Sequence, residues 1–381
     1  MKQMAIGIMS GTSLDGIDVV VANIEGTYLN TKVEIIAFQT IPIDEPLKEE
    51  IRQAMNEKAA TPALLSSLNM KLGYAFGHAA KKVCEDAHLS LEMIDFVASH
   101  GQTIWHINEN QGHLIQSSLQ LGDPSAIASI LKTTVVSHFR NADIAQGGVG
   151  APLVPYVDFI LFSDPKRSRS LHNLGGISNL TYLPKGASEH DVIAMDTGPA
   201  NMMIDRAMQR LYQQPYDDNG GIARQGKLIS KLYQEMMDHP FFRLEPPKST
   251  GREVFGDQLT DQLLIAYKHQ KPEDIIHTLT MITIQSIVDA YQTWIIPKNG
   301  LDDIIFSGGG AYNTFILENI QKQLPEITIL KLEDLGFNSK AKEALAFLIL
   351  GHETLSLRPS NLLQATGAKR KVILGQVTYW V

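Results

Sequence analysis

The sequence predicts an α/β protein built from two domains of similar plan. Three observations support this prediction. The chain of 381 residues is longer than one ordinary domain. Strand and helix patterns alternate through the second half, as they do in α/β sandwiches. A unit of strand, glycine-bearing turn and strand opens the chain and recurs near Ser170, with no fixed repeat period. A boundary between two related domains near residues 150–170 explains the recurrence.

The composition excludes several classes of protein. Hydrophobic residues make up 44% and charged residues 19%, so neither disorder nor a fibrous structure is the main state. Lys and Arg number 33 against 41 Asp and Glu, and the net charge of −8 disfavours nucleic-acid or membrane-surface partners. The one cysteine, Cys84, rules out a disulfide framework and suits a cytoplasmic protein. The oligomeric state stays open, with a homodimer as one option.

Hydrophobic patterning divides the first half of the chain into elements. Apolar residues at steps of three and four, from Leu65 to Val83, predict a helix with one buried face. The glycine and proline run at residues 147–152 excludes regular structure there. The predicted strands are Met4–Met9, Ile17–Ile24, Ile94–Ala98 and Thr134–Ser137.

The second half alternates strands with helices. Asn338 or Ser339 can cap the last helix, and Gly351 can end it. The predicted strands are Leu171–Leu174, Ile177–Leu183, Val192–Met195, Asp303–Phe306 and Ile327–Leu330. One predicted helix begins near Pro199. Three others cover Ile275–Trp294, Thr314–Leu324 and Lys340–Leu350. The longest of them carries polar residues along its length, which indicates an amphipathic core helix and not a membrane span.

A polar loop follows the first strand and has the composition of a phosphate-binding loop. Glycine lets backbone N–H groups approach an anion, and hydroxyl groups add further donors. Asp15 and Asp18 are unusual beside a phosphate unless a cation or a basic partner lies between them and the phosphate. The alternative is a plain hairpin turn, since Asp-Gly is a common turn pair. The loop residues that we expect to bind phosphate are Gly11, Thr12, Ser13, Leu14, Asp15, Gly16, Ile17 and Asp18.

Two further loops follow strand ends, where open α/β sheets bind ligands. Gly308, Gly309 and Gly310 precede a helix and could receive a nucleotide, or they make a tight strand–helix connection. Asp196 stands between a predicted strand and a predicted helix. Its carboxylate suits a general base or a metal ligand, and the alternative is an N-terminal helix cap.

Other charged residues carry a weaker signal. Glu343 lies in the first turn of a predicted helix, where the helix dipole alone favours glutamate. Arg140 is either functional or a surface charge. Lys248 and Arg252 belong to a basic loop that could clamp an anion. The twelve histidines contain no H-E-x-x-H pattern, so a histidine-based metal site is not expected.

Seven segments resemble the signatures of the anhydro-N-acetylmuramic acid kinase family. Any one of them is a weak signal, whereas seven in the same order over nearly the whole chain are specific. The segments are Met9–Asp18, Ser99–Thr103, Gly147–Pro155, Asn173–Ile177, Asp196–Pro199, Pro246–Arg252 and Ser307–Gly310.

The resemblance implies the fold of a larger group that includes sugar kinases, actin and Hsp70 ATPases. That fold is a two-domain actin-like ATPase, a duplicated ribonuclease H-like architecture whose interdomain cleft holds ATP with Mg²⁺. Residues 1–160 would form the first domain and residues 161–364 the second, with the first rejoined over about 365–381. By position, Gly175 and Gly176 belong to a second phosphate loop. The glycines Gly308–Gly310 would contact adenosine. Ser10 stands where many members of the group carry an aspartate near magnesium, so the metal ligands stay unassigned.

The resemblance also implies a reaction. Water opens the 1,6-anhydro bridge of anhydro-N-acetylmuramic acid, and the freed O6 is phosphorylated to give N-acetylmuramic acid 6-phosphate in cell-wall recycling. Asp196 is the expected base, with Glu343 as its partner. The expected sugar contacts are His100, Gln102, Thr103 and Arg140. Two alternatives stay open: an ordinary sugar kinase of the same fold, and a nucleotide-switched binding protein.

Overall fold

The computed structural model describes residues 2–11 and 14–380, so Thr12 and Ser13 of the first loop lie outside the described residues. The strands are β1 (Gln3–Ser10), β2 (Ile17–Glu25), β3 (Lys32–Ile41), β4 (Phe96–Ile107), β5 (Ser117–Leu121), β6 (Thr134–Ser137), β7 (Arg169–Leu174), β8 (Ile177–Leu183), β9 (Ile193–Pro199), β10 (Asp303–Ser307), β11 (Thr328–Lys331) and β12 (Gln376–Thr378).

The α-helices alternate with these strands. None of the helices in the described part of the chain is long and apolar enough to cross a bilayer. The helices are α1 (Glu45–Ala54), α2 (Pro62–Asp86), α3 (Pro124–Leu131), α4 (Asn141–Ile144), α5 (Val154–Phe162), α6 (Asn201–Tyr212), α7 (Ser230–Met237), α8 (Arg252–Phe255), α9 (Asp257–Ala266), α10 (Pro272–Ala290), α11 (Ile296–Asn299), α12 (Thr314–Gln323), α13 (Lys342–Leu355) and α14 (Leu363–Thr366).

The first of two compact units, unit 1, combines Met1–Leu161 with Lys340–Val381. Its sheet has the order β12-β6-β4-β1-β2-β3, with β5 paired to β4. β1, β2 and β3 form an antiparallel meander. β4 runs parallel to β1, and β6 runs parallel to β4. The carboxyl ends of β1, β4 and β6 therefore lie at the same edge of the sheet.

Helices cover both faces of this sheet, and glycine permits the closest approach. Ile6 and Ile8 of β1 pack with residues of α2 in one hydrophobic cluster. Gly7 lies between them and so points to the opposite face. A Cβ atom there would lie 2.1 Å from the carbonyl oxygen of Ala344 in α13. The backbone of α13 thus rests directly on β1, and this position requires glycine.

Unit 2 is Phe162–Ser339. Its sheet has the order β11-β10-β7-β8-β9. β7, β8 and β9 form an antiparallel meander, β10 runs parallel to β7, and β11 runs parallel to β10. One hydrophobic cluster joins this sheet to α10 and α12, and a second lies among α6, α7, α9 and α10.

Five strands of the first sheet have the same order as the five strands of the second, with β5 and β12 added in unit 1, which confirms the predicted duplication. In each unit a three-stranded antiparallel meander is extended by two parallel strands on the side of its first strand. This is the ribonuclease H-like plan, and the mixed α/β class is confirmed as well. The interdomain cleft that the resemblance implies stays a prediction.

The chain returns to unit 1 earlier than the sequence suggests. The return begins at Lys340 and not at about residue 365. α13 packs against β1 and β4, so its apolar side chains complete the core of the first sheet. Neither Asn338 nor Ser339 caps this helix, because a 3₁₀ turn over Ser339–Ala341 precedes it.

Two elements extend beyond their predicted ends. β4 continues through His100, Gln102 and Thr103, so these residues lie in a strand and not in a loop. α13 continues past Gly351, which does not end it. A Cβ atom at Gly351 would lie 2.6 Å from the Cβ atom of Ala98 in β4. Glycine at this position serves close helix–sheet packing.

Candidate active site

The turn between β1 and β2 is anchored by Gln102 of β4. Gln102 Oε1 accepts a 2.6 Å hydrogen bond from Ser10 Oγ, and its Nε2 donates to the Gly11 carbonyl at 3.3 Å. The Gln102 side chain is completely buried. It therefore supports the first loop from inside the protein, and its expected sugar contact stays a prediction that this burial disfavours.

The described part of the first loop is closely packed. Leu14 takes a φ of +59°, and its side chain is buried. At Gly16 a Cβ atom would lie 2.9 Å from the Ile41 carbonyl oxygen of β3. Ile17 is buried at the start of β2, whereas Asp15 is exposed. This packing is tighter than a plain hairpin turn needs. It leaves the Asp15 carboxylate at the surface.

Two carboxyl groups of unit 1 have raised pKa values. Asp18 accepts a 2.5 Å hydrogen bond from Thr40 Oγ1, yet burial raises its pKa. Glu343, in the first turn of α13, keeps an exposed surface. Desolvation by crowding atoms raises its pKa, the charge of Asp18 raises it further, and Lys342 and Arg140 oppose the shift. A divalent cation beside these carboxylates would relieve their repulsion.

The structure brings Arg140 and His100 together. Arg140 Nε and Nη2 donate to His100 Nε2 at 3.1 and 2.8 Å, and Nη1 donates to the Gly150 carbonyl at 2.6 Å. His100 Nδ1 lies 2.8 Å from the Gly101 carbonyl. A guanidinium only donates and a carbonyl only accepts, so His100 must be neutral with its hydrogen on Nδ1. Both ring nitrogens of this buried histidine are therefore engaged within the protein, and a sugar contact by His100 stays a prediction.

Arg140 has no carboxylate in ion-pair contact among residues 2–11 and 14–380. Burial lowers its pKa to about 10, and Glu343 acts on it only through space. A desolvated cation without a paired anion is costly, so this arrangement favours an anionic ligand. Thr103, on the same strand as His100, accepts a 3.3 Å hydrogen bond from Gln120 and is half-buried.

The glycine turn between β7 and β8 lies against the start of α6. The backbone N–H groups of Ala200, Asn201 and Met202 donate to the carbonyls of Gly175 and Gly176 at 3.0–3.1 Å. The Asn201 side chain adds a 2.9 Å bond to the Gly175 carbonyl. Both glycines remain partly accessible to solvent, so a ligand can approach their backbone.

The third glycine-rich loop lies beside the same turn, because β10 runs parallel to β7. Gly308 takes a φ of +81°, and a Cβ atom there would lie 2.6 Å from Asn173 Oδ1. At Gly310 a Cβ atom would lie 2.7 Å from the Cβ atom of Leu174. The segments predicted as second phosphate loop and adenosine loop therefore meet at the carboxyl ends of β7 and β10.

Asp196 lies within β9, paired with Asn179, and is not a helix cap. Its Oδ2 accepts a 2.8 Å hydrogen bond from the Thr250 N–H, and its own N–H donates to the Lys248 carbonyl at 2.9 Å. Burial raises the pKa of Asp196 to about 6, the Thr250 N–H opposes this shift, and the charge of Glu253 adds to it. A fixed, half-buried carboxyl group of this kind suits a general base.

Lys248 anchors the loop that holds Asp196. Its Nζ lies 3.3 and 3.5 Å from the carbonyls of Phe241 and Phe242 and 4.7 Å from the Phe241 ring centre. The lysine is buried, which lowers its pKa. Lys248 therefore does not clamp an anion, whereas Arg252 at the start of α8 is exposed.

Sequence reasoning missed several residues that build these sites. Thr250 and Gly150 lie inside segments that the sequence singles out, but their contacts depend on tertiary structure. Asp143 and Asn201 carry no pattern of their own. Asp143 is buried and accepts a 2.9 Å hydrogen bond from the Gly150 N–H, so it supports the carbonyl partner of Arg140.

The family model and the relatives match nearly the whole chain. The family model described as anhydro-N-acetylmuramic acid kinase matches residues 3–380. A relative of that name from Francisella tularensis subsp. novicida (strain U112) is 51% identical over 375 residues, 98% of each chain. Another, from Bacillus cereus (strain Q1), is 49% identical over 375 residues, again 98% of each chain. Among solved structures, component A of the Acidaminococcus fermentans (R)-2-hydroxyglutaryl-CoA dehydratase has a TM-score of 0.45 and 14% identity, over 91% of this chain and 96% of that chain. This last likeness adds nothing to the assignment.

The family model and the relatives extend over nearly the whole chain, as the seven sequence motifs do. They are named as kinases, so the chain is an enzyme that transfers a phosphoryl group from ATP to a small-molecule sugar acceptor. The match of the family model over nearly every residue, together with two relatives near one-half identity, shows that the chain belongs to the anhydro-N-acetylmuramic acid kinase family.

Proposed function

We propose that this chain carries out the hydrolytic kinase reaction with Asp196 as the general base. Water attacks the anomeric carbon of 1,6-anhydro-N-acetylmuramic acid, and the bond from that carbon to O6 breaks. O6 takes the γ-phosphoryl group of ATP. The products are N-acetylmuramic acid 6-phosphate, ADP and one proton, as recycling of cell-wall sugars requires.

The environment of Asp196 is the observation that carries the assignment of the base. The Thr250 N–H binds Oδ2, while the described residues place no hydrogen-bond donor on Oδ1. Oδ1 is therefore free to accept a proton from water. The pKa of about 6 keeps the group ionised at neutral pH, yet makes it a stronger base than an ordinary aspartate.

The glycine loops suit the nucleotide because they present backbone to a ligand. In unit 1, Gly11 and the residues up to Asp18 follow the carboxyl end of β1, where the first phosphate contacts are proposed. In unit 2, Gly175 and Gly176 offer the second phosphate contacts. The Gly308–Gly310 loop lies beside that turn and is proposed to contact adenosine. Backbone N–H groups at such positions stabilise phosphate charge.

Mg²⁺ is part of this proposal, as charge on a transferring phosphoryl group requires. The described residues contain no group of three or more His, Cys, Asp or Glu that could hold a metal. Mg²⁺ needs only one or two carboxylates when phosphates complete its shell, so Asp18 and Glu343 fit as its protein ligands, directly or through water. The ion would shield the phosphate oxygens from each other's charge.

Arg140 is proposed to bind the lactyl carboxylate of the sugar. Desolvation lowers its pKa, and no carboxylate lies in ion-pair contact with it among the described residues. Thr103 lies on β4, as does His100, the hydrogen-bond partner of Arg140. Thr103 is proposed as a further sugar contact. Glu343 is proposed to orient the sugar or the attacking water.

Product analysis in ¹⁸O-labelled water tests the reaction. With ATP, Mg²⁺ and the anhydro sugar, we expect a sugar phosphate that carries one heavy oxygen at the anomeric position. Phosphorylated sugar without that oxygen would mean an ordinary sugar kinase. Sugar-independent ATP hydrolysis with no sugar phosphate would favour a nucleotide-switched binding protein.

The Asp196→Asn variant tests the base. We expect turnover to fall on the order of 10²- to 10⁴-fold, because general-base catalysis supplies about that factor. ATP binding should persist, which equilibrium titration would show. The matched control is Asp205→Asn, since burial also raises the pKa of this half-buried carboxyl of unit 2 to about 6. Near-normal turnover of Asp196→Asn would remove the assignment.

A further inference from the structure

The guanidinium of Arg140 is held entirely by neutral acceptors among the described residues. Three of its five N–H groups are used, two on His100 Nε2 and one on the Gly150 carbonyl. One N–H remains on each terminal nitrogen. A carboxylate has two oxygens and can accept from both.

His100 is built to stay a neutral acceptor. It lies buried in β4, and its ring packs at 4.4 Å between centres on Phe347 of α13. Its Nδ1–H is fixed by the Gly101 carbonyl, which directs the Nε2 lone pair to Arg140. A protonated ring would turn an N–H toward the guanidinium, and burial together with the Arg140 charge opposes this.

Asp143 holds Gly150 in place, and the Gly150 carbonyl is the second acceptor of Arg140. The Gly150 N–H donates to Asp143 Oδ2 at 2.9 Å, while the Gly150 carbonyl accepts from Arg140. The other oxygen of Asp143 accepts from Asn361 Nδ2 at 2.8 Å and from Thr366 Oγ1 at 2.7 Å. Asp143 is completely buried, so this network cannot relax into water. Its negative charge reaches Arg140 only across the Gly150 residue.

We propose that His100 and Asp143 are positioning residues that orient Arg140 through neutral groups and so make it selective for the carboxylate of the sugar. An aspartate or glutamate in the place of His100 would pair with Arg140 and weaken its attraction for a ligand anion. Neutral acceptors fix the orientation of the guanidinium and leave its positive charge without a paired anion, so that it can attract a ligand carboxylate. The inference rests on the proposed contact between Arg140 and the lactyl group.

A pair of substrates measures this selectivity: the anhydro sugar and its lactamide analogue, which lacks only the negative charge. The selectivity is the ratio of their kcat/KM values. For His100→Phe, which keeps an aromatic ring against Phe347, we expect this ratio to fall on the order of tenfold to a hundredfold, the range for a hydrogen bond to a charged group. The KM for ATP should stay within about twofold of the unchanged protein.

Two further variants keep the test informative if His100→Phe does not fold. His100→Gln offers an amide oxygen near the position of Nε2 and should retain most of the selectivity. Asp143→Asn sets an N–H₂ group against one of the donors that the carboxylate now accepts from, Gly150 N–H on one side or Asn361 and Thr366 on the other, and should lower the ratio by a smaller factor. The matched control is His352→Phe: this buried histidine of unit 1 binds the Gly26 carbonyl and does not touch Arg140.

The outcomes separate the inference from the proposed function. If Arg140→Met abolishes the selectivity and His100→Phe and Asp143→Asn lower it, the inference holds. If Arg140→Met abolishes it while both other variants keep it, the inference fails and the carboxylate contact stands. If Arg140→Met leaves it unchanged, the contact itself fails. A rise in the KM for ATP instead would assign Arg140 to a phosphate and overturn the inference.

Discussion

The two units have the same strand order but present different groups at their strand ends. Unit 1 carries a long turn after β1, the half-buried cation of Arg140, and the carboxyl groups of Asp18 and Glu343, whose pKa values are raised. Unit 2 carries a two-glycine turn packed on α6 and the carboxylate of Asp196, which is held by a backbone N–H. The shared topology fixes where strand ends lie, and the side chains there decide the chemistry.

The difference also extends to how each charged group is supported. Arg140 is held by a neutral ring and a carbonyl, whereas Asp196 is held by the backbone of a loop that Lys248 anchors. Both arrangements restrain the charged group while leaving part of it free. Under the proposed function, Arg140 of unit 1 binds the sugar carboxylate and Asp196 of unit 2 accepts the proton, while both units contact phosphate.

The largest effect is expected where α13 rests on β1. Gly7→Ala places a Cβ atom against the backbone of Ala344, which cannot move without shifting the helix. We expect the free energy of unfolding to fall by about 3 kcal/mol or more, as in severe overpacking. Chemical denaturation would measure it. Gly309→Ala in unit 2 is the control, since the nearest atom to its Cβ position is 3.9 Å away. Equal stability of both variants would contradict the close approach.

The next effect concerns the support of Asp196. Lys248→Met keeps the aliphatic length but removes the ammonium group from the Phe241 and Phe242 carbonyls. We expect kcat to fall on the order of tenfold to a hundredfold through misplacement of the base. Lys248→Arg should recover part of it. An exposed lysine of the same unit, Lys231→Met, is the control. A loss of thermal stability with unchanged kcat would show that Lys248 acts only on folding.

The pH dependence distinguishes the carboxylates of the two units. A general base works when it is deprotonated, so kcat should decrease as the pH falls through the Asp196 pKa of about 6. At pH 5 about a tenth of the plateau rate should remain. In Glu343→Gln, whatever its rate, the acid limb should stay at the same pH. A limb that disappears in this variant would assign the titration to unit 1.

The smallest effect is expected at the single thiol. Cys84 lies buried in α2, and burial raises its pKa to about 11, so little thiolate forms at neutral pH. We expect a thiol reagent to leave activity unchanged and to react only after denaturation. Mass spectrometry of the treated protein would show this. Rapid native labelling with loss of activity would mean that the α2 face of unit 1 opens during turnover.

Local signals account for much of what could be predicted. The strands at residues 4–9 and 17–24 and the echo near Ser170 follow from short apolar runs separated by glycine-bearing turns, and the structure has all of them. The predicted ends of helices and strands were wrong where tertiary packing overrides local sequence signals. Gly351 resembles a helix stop, but it lies within α13 because only glycine fits against β4. Asp196 resembles a cap, but β9 continues past it.

The sequence by itself determined the α/β class, the duplicated plan, the family and the segments that carry the chemistry, because each depends on local composition and order. Tertiary structure alone decided which atoms in those segments are free. It buried Gln102 and His100 as supports, although both lie in a recognised motif. It also brought Thr250 to Asp196, 54 residues away in the chain, and folded the segment after Arg140 so that the Gly150 carbonyl meets its guanidinium.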